Sequence, residues 1–151
     1  MIKFKSYFLL LISAVVFYVL CFCVTKEETF TLNIHATYYV MSVSDFFKGI
    51  AILCVTTGLV YVILDASNVK LTSILSKVHI FGTLLMIFAL IFLNYKNNLN
   101  IKSVRFGDIV NQFDNNSYVG ISLVLILFLQ FIFLINIFAA QILKLKNIAA
   151  K

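Results

Sequence analysis

Apolar residues in this chain fall into four blocks, and charged residues stand almost entirely between them. The first block runs from Tyr7 to Cys23 and holds no charge. As a helix rising about 1.5 Å per residue it is about 25 Å long, which suffices for a span. The second runs from Gly49 to Leu64, with Phe46 and Phe47 before it, and the third from Val78 to Tyr95. The fourth, Ser117 to Leu143, is 27 residues without charge, long enough to tilt or project. The pattern predicts an all-α fold in one domain over residues 1–151, with transmembrane helices at about 6–24, 46–65, 77–95 and 117–143. Residues 25–45 and 96–116 then form two loops on one side of the membrane.

Finer patterns sit inside this layout. Ala51, Cys54 and Gly58 recur at i, i+3 and i+7, a small-residue stripe along which another helix can approach closely. Gly82, Met86 and Ala89 lie along one side of the third block. Phe30, Leu32 and Ile34 alternate with Thr29, Thr31 and Asn33, the mark of a short extended piece. Phe106, Ile109, Val110 and Phe113 share one helical face and predict a short interfacial helix. The chain has no proline, so nothing forces a kink in any span.

Composition sharpens the class. Hydrophobic residues make up 62% of the chain and charged residues 12%, against about 25% charged in soluble domains. The net charge is +6, but the basic residues lie scattered at block ends. They are topology signals and lipid-headgroup partners. A nucleic-acid face needs a basic patch, and none is visible.

Loop charges set the orientation. Lys3, Lys5, Lys70, Lys77, Lys144, Lys146 and Lys151 lie at the N-terminus, the second connection and the C-terminus, with Asp65 their one acid. Lys26, Lys48, Lys96, Lys102 and Arg105 flank the other two loops, accompanied by five acids. The excess of Lys and Arg places both termini in the cytoplasm, in a bacterial inner membrane. The first block carries no small-x-small cleavage site and is expected to stay as a helix.

Candidate chemistry is sparse. Cys21, Cys23 and Cys54 lie inside apolar blocks and are expected to be small core residues. Asp45 and Lys48 are three apart and predict an exposed ion pair. Gln130 and Asn136, deep in the fourth block, predict interhelical hydrogen bonds. The sequence holds no nucleophile–base pair, phosphate-cradling glycine loop or zinc spacing. His79 is expected at a helix end near the inner headgroups, across the bilayer from His35. Tyr38 and Tyr39 are expected to be interface anchors.

The segment Asn33-Ile34-His35-Ala36-Thr37-Tyr38-Tyr39-Val40-Met41 resembles the His-Asp-Thr-Tyr segment of haem–copper oxidase subunit I. Lys77-Val78-His79-Ile80-Phe81 is similar to that family's Lys-Ile-His-Phe helix opening. Arg105-Phe106-Gly107-Asp108 is similar to the tail of its Arg-Arg-Tyr-x-Asp loop. The run after Asn116 then matches its last helix. The resemblance implies the C-terminal four-helix portion of subunit I. It also implies what has been lost. The family's haem-ligand histidines fall eight and ten residues after the motif histidine, where this chain has Val43 and Asp45. Ala36 replaces an acidic metal ligand, and Val104 replaces the first of two arginines.

The expectation is a non-catalytic membrane protein without cofactor, a relic of subunit I in a structural or accessory role. Its partners are the bilayer and either itself or a respiratory complex. Two alternatives stand beside it. One is a residual haem- or metal-binding component using His35 and Arg105, and the other is a small transporter or channel subunit.

Overall fold

The computed structural model describes residues 5–24, 29–34, 37–103 and 109–149. In chain order these form α1 (Phe8–Cys23), β1 (Thr29–Ile34), β2 (Thr37–Ser42), α2 (Val43–Ala66), α3 (Ser73–Ser103) and α4 (Ile109–Ala149). Three stretches, Val43–Ala66, Ser73–Lys96 and Tyr118–Lys144, are long and apolar enough to cross a membrane, and α1 is a shorter apolar helix. The chain is therefore a mostly helical integral membrane protein.

The helices pack as two antiparallel hairpins. In the first, Leu10, Ala14, Phe17 and Cys21 of α1 are buried, recurring every three or four residues along one face. The facing side of α2 is the small-residue stripe: Ala51, Cys54 and Gly58 are all buried. A Cβ placed on Gly58 would lie 2.6 Å from Cδ2 of Leu11, so the missing side chain is what lets α1 come this near. In the second hairpin, a Cβ on Gly82 of α3 would meet Cδ2 of Leu129 of α4 at 2.9 Å. The hairpins touch through Phe17 and Phe88, whose ring centroids lie 6.1 Å apart, and through a polar cluster nearer the other end. Large apolar side chains such as Phe22, Ile52, Phe88 and Leu127 point outward, as lipid contact requires.

Local chemistry sets the helix ends. The Ser42 hydroxyl oxygen accepts from the Asp45 backbone N–H at 3.0 Å and starts α2. Asp45 also accepts from that hydroxyl and from the Lys48 ammonium, each close to 2.8 Å, which is the expected ion pair. At the far end Asn68 takes a left-handed φ of 54°. Val69 N–H then donates to Leu64 and Asn68 N–H to Asp65, satisfying carbonyls that the helix leaves free.

Three expectations need correction. The mostly helical, four-helix fold is as expected, but residues 25–45 are not a loop throughout, because β1 and β2 pair antiparallel with Thr29 opposite Ser42 and Ile34 opposite Thr37. The alternation in β1 was visible, but the β-prone run Thr37-Tyr38-Tyr39-Val40-Met41 is its partner strand rather than plain loop. The hairpin is anchored by Phe30, which is buried and stacks on Phe46 of α2 at 4.2 Å. Residues 96–116 are not a loop throughout. Helix α3 runs on to Ser103 and α4 begins at Ile109, because no glycine or proline interrupts either stretch. Hydropathy marks where lipid contact ends, whereas backbone hydrogen bonding continues past it. Finally, Cys21 and Cys54 are buried as expected, but Cys23 is exposed, two residues round the helix from the buried face.

Candidate functional site

Several buried polar side chains gather at one end of the interface between the hairpins, while Asn94 and Ser122 are buried further along α3 and α4. On α3, Ser76, His79 and Thr83 lie at i, i+3 and i+7 and form one polar stripe. On α4, Gln130 and Asn136 lie on the side that faces it, with Phe133 between them. Tyr61 enters from α2. His79 is fully buried, as are Thr83 and Asn136 to within a few per cent. Groups so placed must find partners inside the chain.

They do so in two hydrogen-bonded groups, and a backbone group sets the direction of the first. The Thr72 N–H can only donate, and it donates to Oδ1 of Asn136 at 3.0 Å. That fixes the amide, so Nδ2 of Asn136 donates to the Ser76 hydroxyl oxygen at 3.1 Å and to the Thr72 carbonyl at 3.4 Å. In the second group, Tyr61 donates to Nδ1 of His79 at 3.1 Å. The ring proton of His79 then sits on Nε2 and goes to Oε1 of Gln130 at 3.2 Å. Gln130 completes the series by donating from Nε2 to the Thr83 hydroxyl at 3.4 Å. Aromatic rings pack round it: His79 lies nearly parallel to Phe133 at 4.6 Å, and Tyr61 lies 4.8 Å from Phe133.

The cluster borders an open cavity of about 590 Å³ at the same end of the molecule. Tyr61 and Ser76 supply polar floor groups, and Leu71 and Ile80 an apolar wall. Lys5, Tyr7, Asp65 and Lys70 stand at the rim. Lys5 forms an ion pair with Asp65, and the Tyr7 hydroxyl donates to the same carboxylate at 3.3 Å. The hydrogen bond to Asp65 keeps the Lys5 ammonium charged to higher pH than usual. Lys144 closes this end by donating to the Ser67 carbonyl at 2.9 Å.

The residues singled out from the sequence fare unevenly. His35, Arg105 and Asp108 lie outside the described residues. Asn33, Thr37 and Tyr38 fall in the hairpin, with Asn33 opposite Tyr38. Tyr39 is exposed, in keeping with an anchoring position. His79 lies six residues from the start of α3, buried and bonded to Tyr61 and Gln130. Gln130 and Asn136 make the interhelical bonds expected of them. The sequence reading missed Tyr61, Ser76, Thr83 and the Lys5–Asp65 pair. The signal for Ser76 and Thr83 was their helical spacing around His79 in an otherwise apolar block.

Haem in the manner of subunit I does not fit these residues. Val43 is a buried apolar side chain at the start of α2, and Asp45 is engaged by both Ser42 and Lys48. Among the described residues, no three His, Cys, Asp or Glu side chains are grouped to hold a metal ion. No family model, curated protein or solved structure matches the chain.

Proposed function

We propose that this chain is a non-catalytic integral membrane protein, a four-helix relic of haem–copper oxidase subunit I with both termini in the cytoplasm. In this reading it serves a structural or accessory role in the bacterial inner membrane, beside copies of itself or a respiratory complex. The observation that carries the proposal is the engagement of His79. Both its ring nitrogens are taken by Tyr61 and Gln130, so the imidazole joins α2, α3 and α4 rather than offering a lone pair outward. A ligand at iron would first have to break a buried hydrogen bond. The polar series also ends at Thr83, with Ile87 and Leu90 buried beyond it, which favours a structural role over a conducting one.

Absorbance spectroscopy tests the proposal. Protein purified in mild detergent and supplied with haem is expected to show no stoichiometric six-coordinate low-spin spectrum. A tight bis-histidine spectrum at one haem per chain would refute it. The double variant Val43→His with Asp45→His probes the ancestry: inherited backbone geometry predicts a gain of weak haem affinity over the wild type.

A further inference from the structure

We propose that the cavity between the ends of α1, α2 and α3 binds a phosphate-bearing anion, with an anionic phospholipid headgroup as the form met in a bilayer. Three features of the cavity point to this chemistry.

The first is an uncompensated cation. Asp65 is neutralised by Lys5 and further bonded by Tyr7, so the rim carboxylate presents little free charge. Lys70, on the same rim, has no ion-pair or hydrogen-bond partner among the described residues. The rim therefore carries one positive charge in excess, and it does so where the helices meet the headgroup layer.

The second is the make-up of the polar lining. Ser6, Asn68, Tyr61 and Ser76 line the cavity with Lys70, and Asp65 is the one carboxylate among the lining residues. That carboxylate is already held by Lys5, so a cation entering here finds no free counter-charge, whereas an anion finds Lys70.

The third is the division of the lining. Leu71 and Ile80 give an apolar wall, while hydroxyls stand at the rim and on the floor. A free phosphate uses only the polar part. A phosphoglyceride uses both, with its ester groups against the hydroxyls and its glycerol and upper acyl carbons on the wall. The cavity volume of about 590 Å³ is ample for such a headgroup.

Thermal unfolding of the full chain in a neutral detergent tests this. The additives are dioleoylphosphatidylglycerol, dioleoylphosphatidylcholine and inorganic phosphate, each added separately. Phosphatidylglycerol is expected to raise Tm by about 3 °C more than phosphatidylcholine does, the size expected of a ligand well above its Kd on a chain of this length. Lys70→Gln should remove that difference and Lys70→Arg should retain it, with Tm in phosphatidylcholine unchanged in both. Lys77→Gln, which alters a lysine outside the cavity, should keep it. Stabilisation by inorganic phosphate that is also lost in Lys70→Gln would support the anion site and assign it to the phosphate group alone. Equal shifts with both lipids in the wild type would overturn the proposal. So would a full shift in Lys70→Gln, or equal losses in Lys70→Gln and Lys77→Gln, which would reveal only diffuse surface attraction.

Discussion

The Tyr61 hydroxyl lies 3.1 Å from Nδ1 of His79, and this bond ties the first helical hairpin to the second. It is buried in an apolar surround, where an unmet donor or acceptor is costly. Elsewhere the hairpins meet mainly through rings, so this contact supplies direction as well as attraction. Tyr61→Phe keeps the ring against Phe133 and removes only the hydroxyl. It should destabilise the protein by about 0.6–1.7 kcal/mol, the range measured for single hydrogen bonds within membranes. A double-mutant cycle with His79→Phe, read by thermal unfolding in detergent, should show coupling of that size. Additive single losses would show that the two side chains act separately.

Gly58 and Gly49 lie on one helix and should answer differently to the same change. An alanine Cβ at Gly58 would press on the end of the Leu11 side chain, which can partly turn away. Gly58→Ala should therefore cost about 1 kcal/mol, and Gly58→Leu, which cannot be relieved this way, about 3 kcal/mol. A Cβ at Gly49 meets nothing within 4 Å, so Gly49→Ala should leave stability level or slightly raised. Matched unfolding curves decide it, and equal effects at the two glycines would place that face of α2 against lipid.

Asn136 ties the start of α3 to α4 through Thr72 and Ser76. Asn136→Leu fills similar volume but leaves the Thr72 N–H and the Ser76 hydroxyl without their amide partner. The Thr72 amide should exchange with deuterium about tenfold faster, equivalent to about 1.4 kcal/mol of lost protection. Amides near Gly58 should keep their wild-type rates. Unchanged exchange at Thr72 would mean that water replaces the side chain without loss.

Orientation can be read with reporter fusions. Fusions after Lys5, Lys70 and Lys146 should report cytoplasm, and fusions after Glu28 and Asn100 the opposite side. A cytoplasmic signal after Asn100 would be incompatible with four crossings.

Much of the scaffold was legible in the sequence because lipid imposes a simple demand on it. An uncharged run such as Ser117–Leu143 has few options beyond a helix. The stripe through Ala51, Cys54 and Gly58 was equally readable, since close approach needs small residues at helical spacing. The β-hairpin was half visible. Its first strand alternates, but its second has apolar and aromatic residues in succession and offers no period to read. The helical extension past Tyr95 escaped notice because hydropathy follows solvent, not hydrogen bonding, and the short helix read around Ile109, Val110 and Phe113 is the beginning of α4. The polar cluster was hidden for a different reason. A tyrosine in an apolar block looks like any other large core residue. Only its position opposite His79, on a helix distant in sequence, reveals that its hydroxyl is used.

The helices differ widely in length, and a bilayer must accommodate all of them at once. Helix α1 has 16 residues, about 24 Å, whereas a typical hydrocarbon core is about 30 Å thick. Helix α4 has 41 residues and extends about 60 Å, well beyond that core. The protein is thus mismatched on opposite flanks in opposite senses. Lipid beside α1 is drawn thinner, while α4 stands clear of the surface. Each ångström of such strain costs a fraction of a kcal/mol, and the strain is relieved where the bilayer is already thin. In the proposed four-span arrangement the short first helix is therefore expected to make the chain more stable in thinner bilayers than in thicker ones.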